Sequence, residues 1–343
     1  MLLYPKEGLC QMTRIIPEKV KKGDEIRIIA PSRSMSVLKD DVLYNAKQRL
    51  EKEGFKISFG KNVLKSINDD FKCASIKDRI EDLHDAYKDK NVKMIITAIG
   101  GYNVNQLLDY IDYNLIQENP KIICGFSDIT ALVNAIHAKT GVITYLGVQY
   151  FNFGMKYGFE YSMEYFEKIF MQNKDILIEP SKEWSNDKWM KNQENREFIK
   201  NDGMKVINPG KARGKIVGGN LCTLNLLQGT EYMPDLDNSI LFIEDDGETG
   251  KAFAKEFDRN LQSLLHSTKG KTINGLVIGR AEKVSEMSIK KWQEIFETKR
   301  ELNNIPIIIN ADIGHTTPIF TFPIGGDANI IANNKEIKII INN

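Results

Sequence analysis

Residues 121–141, KIICGFSDITALVNAIHAKTG, decide how the rest of the chain is read. Ile122, Ile123 and Cys124 form the short unbroken apolar run of a strand buried on both faces, and Gly125 closes it. Ile129, Leu132, Val133 and Ile136 then recur at the i, i+3, i+4, i+7 spacing of a buried helical face, with Asp128 in the first turn, where an acid suits the helix dipole. Ser127 is thereby pinned in the turn between strand and helix. A hydroxyl in that place has two uses. It can cap the helix, as Ser at such junctions commonly does. It can also be a nucleophile on a tight turn above a sheet edge, with the next backbone N–H facing a developing oxyanion. These residues alone leave both uses open.

Toward the N-terminus the chain alternates strand and helix, the pattern of a parallel α/β sheet. EIRIIA (25–30) reads as a strand ending at Pro31-Ser32; Leu43, Ala46 and Leu50 mark a helical face stopped by Gly54; 55–59 is a second short strand. Ile76, Ile80, Leu83 and Tyr87 define another amphipathic helix, in which His84 reads as structural. MIITAI (94–99) is a buried strand that runs into Gly100-Gly101-Tyr102-Asn103, before a helix carrying Leu107, Leu108 and Ile111. Two glycines at a strand's carboxyl end permit close backbone approach to a ligand, so Gly100 and Gly101 form either an oxyanion or substrate loop or an ordinary turn. A dinucleotide fingerprint is excluded, because no third glycine follows at the required spacing.

Beyond a strand at 142–147 and a helix at 161–170, residues 181–202 are polar and irregular but hold Trp184, Trp189, Asn192 and Arg196. A disordered spacer seldom carries two tryptophans, which leaves a binding loop or a plug between domains. From about residue 203 short strands dominate: 214–217, 239–243, 275–279, 307–309 and 336–341, with helices at 251–266 and 289–302. Three polar features follow strands here: Gly218-Gly219-Asn220, Glu244-Asp245-Asp246 and Gly314-His315-Thr316. An acid at a strand end and a His in a Gly/Pro-rich loop suit an orienting group and a general base. Each alone is a weak signal.

Composition narrows the class. A chain of 343 residues usually forms two domains, since single cores stop growing at about 250–300 residues. A net charge of +1 gives no electrostatic case for a nucleic-acid polymer or an anionic membrane. No apolar run approaches the roughly 20 residues of a membrane helix, and neither a signal-peptide core nor a cleavage site is present, so a cytoplasmic protein is expected. Cys10, Cys73, Cys124 and Cys222 lack paired spacing, which argues against disulfides and a zinc site. Lys6-Glu7-Gly8 can be encoded by AAG-GAG-G, a ribosome-binding purine run, so Met12 is expected to be the natural start.

Ser127, Glu244 and His315 also follow the chain order Ser, acid, His, although order alone proves no triad. GFSDITAL, IGGYN, GKIVGGNL, LFIED and DIGHTTP together resemble the motifs of the LD-carboxypeptidase and microcin-immunity family of serine peptidases, over nearly the whole chain from about Met12. The resemblance implies an N-terminal Rossmann-like parallel-sheet domain with a nucleophile elbow (12–175), an aromatic connecting loop (176–202) and a C-terminal β-rich α/β domain (203–343). It further implies a homodimer without cofactor or metal, and an active site between domains. Ser127 would be the nucleophile, His315 the general base and Glu244 its orienting acid, with the Gly101 and Asp128 amides as oxyanion donors. Gly100, Trp184, Trp189 and Asn220 would bind substrate.

Two substrates compete within that family: a murein tetrapeptide that loses its terminal D-alanine, and an aminoacyl- or peptidyl-nucleotide cut at the amide. GGYNVNQLLDYIDY, LQGTEYMPDL and the tryptophan segment resemble the immunity branch, and a tryptophan can stack on a base where a muropeptide has none. The chain departs from that branch at Val104, where a Ser is expected, and at Gly147-Val148, where Gly-Pro is expected. Outside the family, an α/β small-molecule binder without turnover is the alternative.

Overall fold

The computed structural model describes residues 13–67, 70–268 and 272–342; Cys10 and the expected start at Met12 lie outside them. The first half builds five parallel strands: β1 (Glu25–Ile29), β2 (Lys56–Phe59), β3 (Val92–Thr97), β4 (Ile122–Gly125) and β5 (Thr144–Leu146). The chain then supplies β6 (Ile176–Ile178), β7 (Glu183–Trp184), β8 (Ile199–Lys200), β9 (Lys205–Asn208), β10 (Gly210–Asn220), β11 (Ser239–Glu244), β12 (Ile273–Gly279) and β13 (Ile307–Ala311). It ends with β14 (Phe322–Ile324), β15 (Asp327–Ala332) and β16 (Ile337–Asn342).

Two sheets share these strands. The first has the order β14-β5-β4-β3-β1-β2, and the second β6-β16-β15-β10-β11-β12-β13-β9. The core β10 to β13 of the second sheet is parallel and its flanks antiparallel. The fold is therefore a parallel-sheet α/β domain followed by a β-rich one, as the alternation of apolar runs predicts. The exchange of edge strands could not be read from that alternation. β14 returns from the second half to pair antiparallel with β5, Phe322 opposite Leu146, while β6 joins the second sheet although the sequence places it in the connecting loop. Edge strands of three residues carry too short a pattern to reveal which sheet they will join.

The helix Ile129–Thr140 shows how the halves meet. Its apolar face packs under the first sheet, yet Thr130, Ala131 and Asn134 are buried as well. The second sheet covers that other side: Asn134 Nδ2 donates to Gly218 O at 2.8 Å, and Asn220 N donates to Thr130 Oγ1 at 3.0 Å. Burying those polar groups unpaired would cost about 1–3 kcal/mol each, so the bonds fix the docking of the two sheets. Elsewhere the differences from expectation are local. The segment after Asn103 is a 3-10 helix, Val104–Tyr110, and the irregular region contains the small β7–β8 ribbon. His84 accepts from the Asp112 amide at 3.0 Å, a structural role.

Candidate active site

Gly100, Gly101, Ser127, Glu244 and His315 stand at or after the carboxyl ends of parallel strands β3, β4, β11 and β13, so these residues gather where the two sheets present those ends. Ser127 follows β4 and takes φ +62°, a left-handed conformation that a non-glycine residue adopts at a cost of about 1–3 kcal/mol. Its helix begins immediately afterward, with Thr130 N bonded to Ser127 O at 2.9 Å. The Ser127 hydroxyl does not cap that helix; it points at His315, whose Nε2 lies 3.1 Å away. Gly100 makes room for this turn, because a Cβ there would sit 3.0 Å from Ser127 Cβ.

His315 lies in the loop after β13 and its Nδ1 meets Glu244 Oε2 at 2.7 Å. Glu244 ends β11 and is buried, whereas the next acid, Asp245, turns away to accept from Asn220 Nδ2 at 3.2 Å. The geometry therefore puts Glu244, not its neighbour, on the imidazole. Gly314 is required beside them: it has φ +99°, and a Cβ there would lie 2.5 Å from Glu244 Oε2. Burial works against a charged His315, but attraction to and hydrogen bonding with Glu244, reinforced by Asp246 and Glu282, outweigh it and push the pKa up to about 9. Burial, then the adjacent Glu244 and Asp246, push Asp245 up to about 7.

Asp128 does more than start a helix. Its carboxylate is buried and accepts from Ser32 Oγ at 2.5 Å and from the Asn103 and Val104 amides at 3.0 Å each. Burial raises its pKa while these donors oppose the rise. The Gly100–Asn103 loop is thus tied to the serine turn by one carboxylate. Arg33 reinforces it, donating from Nε to Gly100 O at 3.0 Å. The Val104 bond is made by its backbone, so the absence of Ser at this position leaves the tie intact. Among the described residues, neither the Gly101 nor the Asp128 amide donates to a protein acceptor.

A cavity of about 330 Å³ opens over Ser127 and His315 and is lined also by Gly100, Gly101, Tyr102 and Trp189. Trp189 is the end of an aromatic column. It stacks on Phe151 (5.8 Å, 7°), Phe151 on Phe126, and Phe126 meets the His315 ring edge at 5.4 Å. Trp184 and Asn220 are not brought to this cavity. Trp184 pairs with Ile199 on the β7–β8 ribbon and lies under the guanidinium of Arg280, which is locked to Asp312, so its ring is held in a separate cleft. Asn220 is spent on capping, its Oδ1 accepting from the Thr223 amide, and it stands behind Glu244 rather than over Ser127. Sequence reasoning did not single out Arg33, Phe126, Phe151 or Glu282. Only their arrival at strand ends hinted at them. Cys73 and Cys124 are buried free thiols and Cys222 is an exposed one.

A two-sheet α/β fold with serine, imidazole and carboxylate gathered in one cleft defines a serine-type carboxypeptidase or amidase. Comparison with known proteins gives the family. The model of the LD-carboxypeptidase N-terminal domain matches residues 26–147 and that of the C-terminal domain residues 213–330, and the chain belongs to the LD-carboxypeptidase family of serine peptidases. The carboxypeptidase-named protein YocD of Bacillus subtilis (strain 168) is 47% identical over 94% of this chain and 98% of its own. The crystal structure of an MccF-like protein from Bacillus anthracis str. Ames is 50% identical, with a TM-score of 0.94 over 95% of this chain and 99% of that one. The structure of MccF in complex with glutamyl sulfamoyl guanosine is 29% identical, with a TM-score of 0.84 over 95% of this chain and 97% of that one. No helix among the described residues is long and apolar enough to cross a membrane.

Proposed function

We propose that the chain hydrolyses an amide through an acyl-enzyme on Ser127, and that its substrates are aminoacyl- or peptidyl-nucleotides of the microcin type. The observation that carries the chemistry is the continuous line from Ser127 Oγ through His315 to Glu244, at 3.1 and 2.7 Å. A Glu244 oxygen accepting at His315 Nδ1 selects the tautomer with hydrogen there, which leaves the Nε2 lone pair facing the serine. Ser127 attacks the carbonyl carbon as its proton moves to Nε2. The Gly101 and Asp128 amides receive the oxyanion, and the leaving nitrogen takes the proton from Nε2 as the C–N bond breaks. Water then repeats the sequence on the ester, with His315 again accepting and returning the proton, and the free acid leaves.

The nucleotide reading is supported by Trp189 in the cavity wall and by the ligand named in the MccF structure. Trp189 is 6% exposed and one face is occupied by Phe151, so a base would stack on the part of the ring that lines the cavity, contributing at most on the order of 1–3 kcal/mol. Murein tetrapeptide is the competing substrate within the same chemistry. Parallel turnover assays of an aminoacyl-sulfamoyl adenosine and a murein tetrapeptide decide between them. Higher kcat/KM on the nucleotide supports the proposal, and turnover of the tetrapeptide alone reverses it. The homodimer and cytoplasmic location implied by the family resemblance belong to the same proposal, with light scattering and cell fractionation as their tests.

A further inference from the structure

We infer that Arg33 decides which leaving groups the site accepts: its guanidinium binds the anionic oxygens that the leaving group carries next to the scissile nitrogen. The inference rests on the acyl-enzyme reading of Ser127. Arg33 follows the carboxyl end of β1, and its place is fixed by two ties to the serine turn. Ser32 is buried and donates from Oγ to the Asp128 carboxylate at 2.5 Å, so the preceding residue is bound to the nucleophile's own neighbour. Arg33 Nε donates to Gly100 O at 3.0 Å, and Gly100 in turn stands against Ser127. Gly101 leaves room for the arginine stem, because a Cβ there would lie 2.9 Å from Arg33 Cγ.

Those contacts use the stem and Nε and leave the end of the fork free. Among the described residues, Nη1 and Nη2 have no protein acceptor and Arg33 forms no ion pair, although the side chain lines the cavity over Ser127 and His315. It is also the one Lys or Arg side chain in that lining among the described residues, whereas Asp246, Glu248 and Glu282 are acids of the same lining. An anion that enters is repelled by those acids and attracted at Arg33, so its charge sets the orientation of the ligand. Both substrate classes present such a group. A sulfamate or phosphoramidate carries negatively charged oxygens on the atom bonded to the leaving nitrogen, and a terminal D-alanine carries a carboxylate two bonds from it. Either offers two oxygens on one centre to a planar fork of N–H donors. A neutral leaving group gives the guanidinium no partner, and that difference is the discrimination.

The test is calorimetric binding to Ser127→Ala, which needs no turnover, with and without Arg33→Gln. Each ligand is paired with a form lacking the anion. Murein tetrapeptide is paired with its C-terminal amide. Glutamyl-sulfamoyl adenosine is paired with the glutamyl amide of the adenosine analogue in which nitrogen replaces the ribose hydroxymethyl oxygen. On either scaffold that binds, the anion should improve affinity about thirtyfold, and Arg33→Gln should bring the two forms within about threefold while the neutral form binds nearly as before. Arg33→Lys, with the charge but without the fork, should keep a preference between these limits. A preference that Arg33→Gln leaves unchanged, an equal loss of both forms, no preference for the anion, or no binding on either scaffold overturns the inference. If only the tetrapeptide pair shows the pattern, the nucleotide reading fails while this one stands. A Ser127 that proves unnecessary for turnover would remove the acyl-enzyme reading without altering these affinities.

Discussion

The two walls of the cleft are made by different means. On the side of the first sheet, Ser127 is placed by backbone geometry: a left-handed turn, a glycine that leaves no gap, and the Asp128 carboxylate drawing the Gly100–Asn103 loop onto that turn. On the side of the second sheet, His315 is placed by charge, against a buried Glu244 and near Asp246 and Glu282. Steric placement tolerates little substitution, and the backbone turn at Ser127 itself carries no titrating group. Placement by charge moves with pH and can be retuned by one carboxylate. The proposed nucleophile Ser127 and its proposed base His315 should thus fail in distinguishable ways, and substitutions can separate them.

The largest effect is expected where the walls touch. Ser127→Ala and His315→Ala should each lower kcat by about three to six orders of magnitude, measured on any accepted substrate, with far-UV circular dichroism unchanged. Ser127→Gly should be equally inactive yet melt no lower than wild type, because glycine relieves the φ +62° strain. A clear loss of Tm in Ser127→Gly would contradict steric placement of the nucleophile.

Glu244→Gln tests the charged wall and should cost about a hundred- to ten-thousandfold in kcat, with Asp245→Asn far milder. The pH profile gives the sign. His315 must be neutral to accept the serine proton, so kcat/KM of the native enzyme should climb with pH through a limb near 9. Without the anion that raises the pKa, burial dominates, and the limb in Glu244→Gln should move to lower pH. A limb that stays in place would break the contrast between the walls.

Asp128→Ala should lower kcat by about ten- to a hundredfold with a smaller change in KM, since the loop loses the group that ties it to the serine turn. Asp128→Asn, which retains an acceptor oxygen, should recover part of that loss in the same assay. The smallest effects separate the tryptophans. Trp189→Ala should weaken nucleotide substrates by about tenfold and murein tetrapeptide less. Trp184→Ala, removed from the cavity, should leave both kcat/KM values near wild type. Equal losses for the two variants would mean that the tryptophans act through stability alone, which thermal denaturation run alongside would reveal.

The site was legible in the sequence to the extent that it follows strand ends. Ser127, Glu244 and His315 each stand just after an apolar run long enough to be recognised as a buried strand, and their order in the chain suggested a common purpose. Trp184 and Asn220 show where that logic stops. Both stand in suggestive stretches, but a two-residue ribbon turns Trp184 onto Arg280, and a helix start takes up the Asn220 side chain. The exchange of β6 and β14 between the halves was hidden for a similar reason, since register across an interface is decided by distant partners.

The most direct test of two sheets jointly activating one serine is covalent. Native protein, Ser127→Ala and Glu244→Gln are treated with a fluorophosphonate, and the adduct is followed by intact mass and peptide mapping. The structure predicts a single adduct on Ser127 of the native protein, none on Ser127→Ala, and slow labelling of Glu244→Gln. Labelling of Ser127→Ala at the native rate, or a native enzyme that turns over substrate while Ser127 stays unmodified, would contradict it.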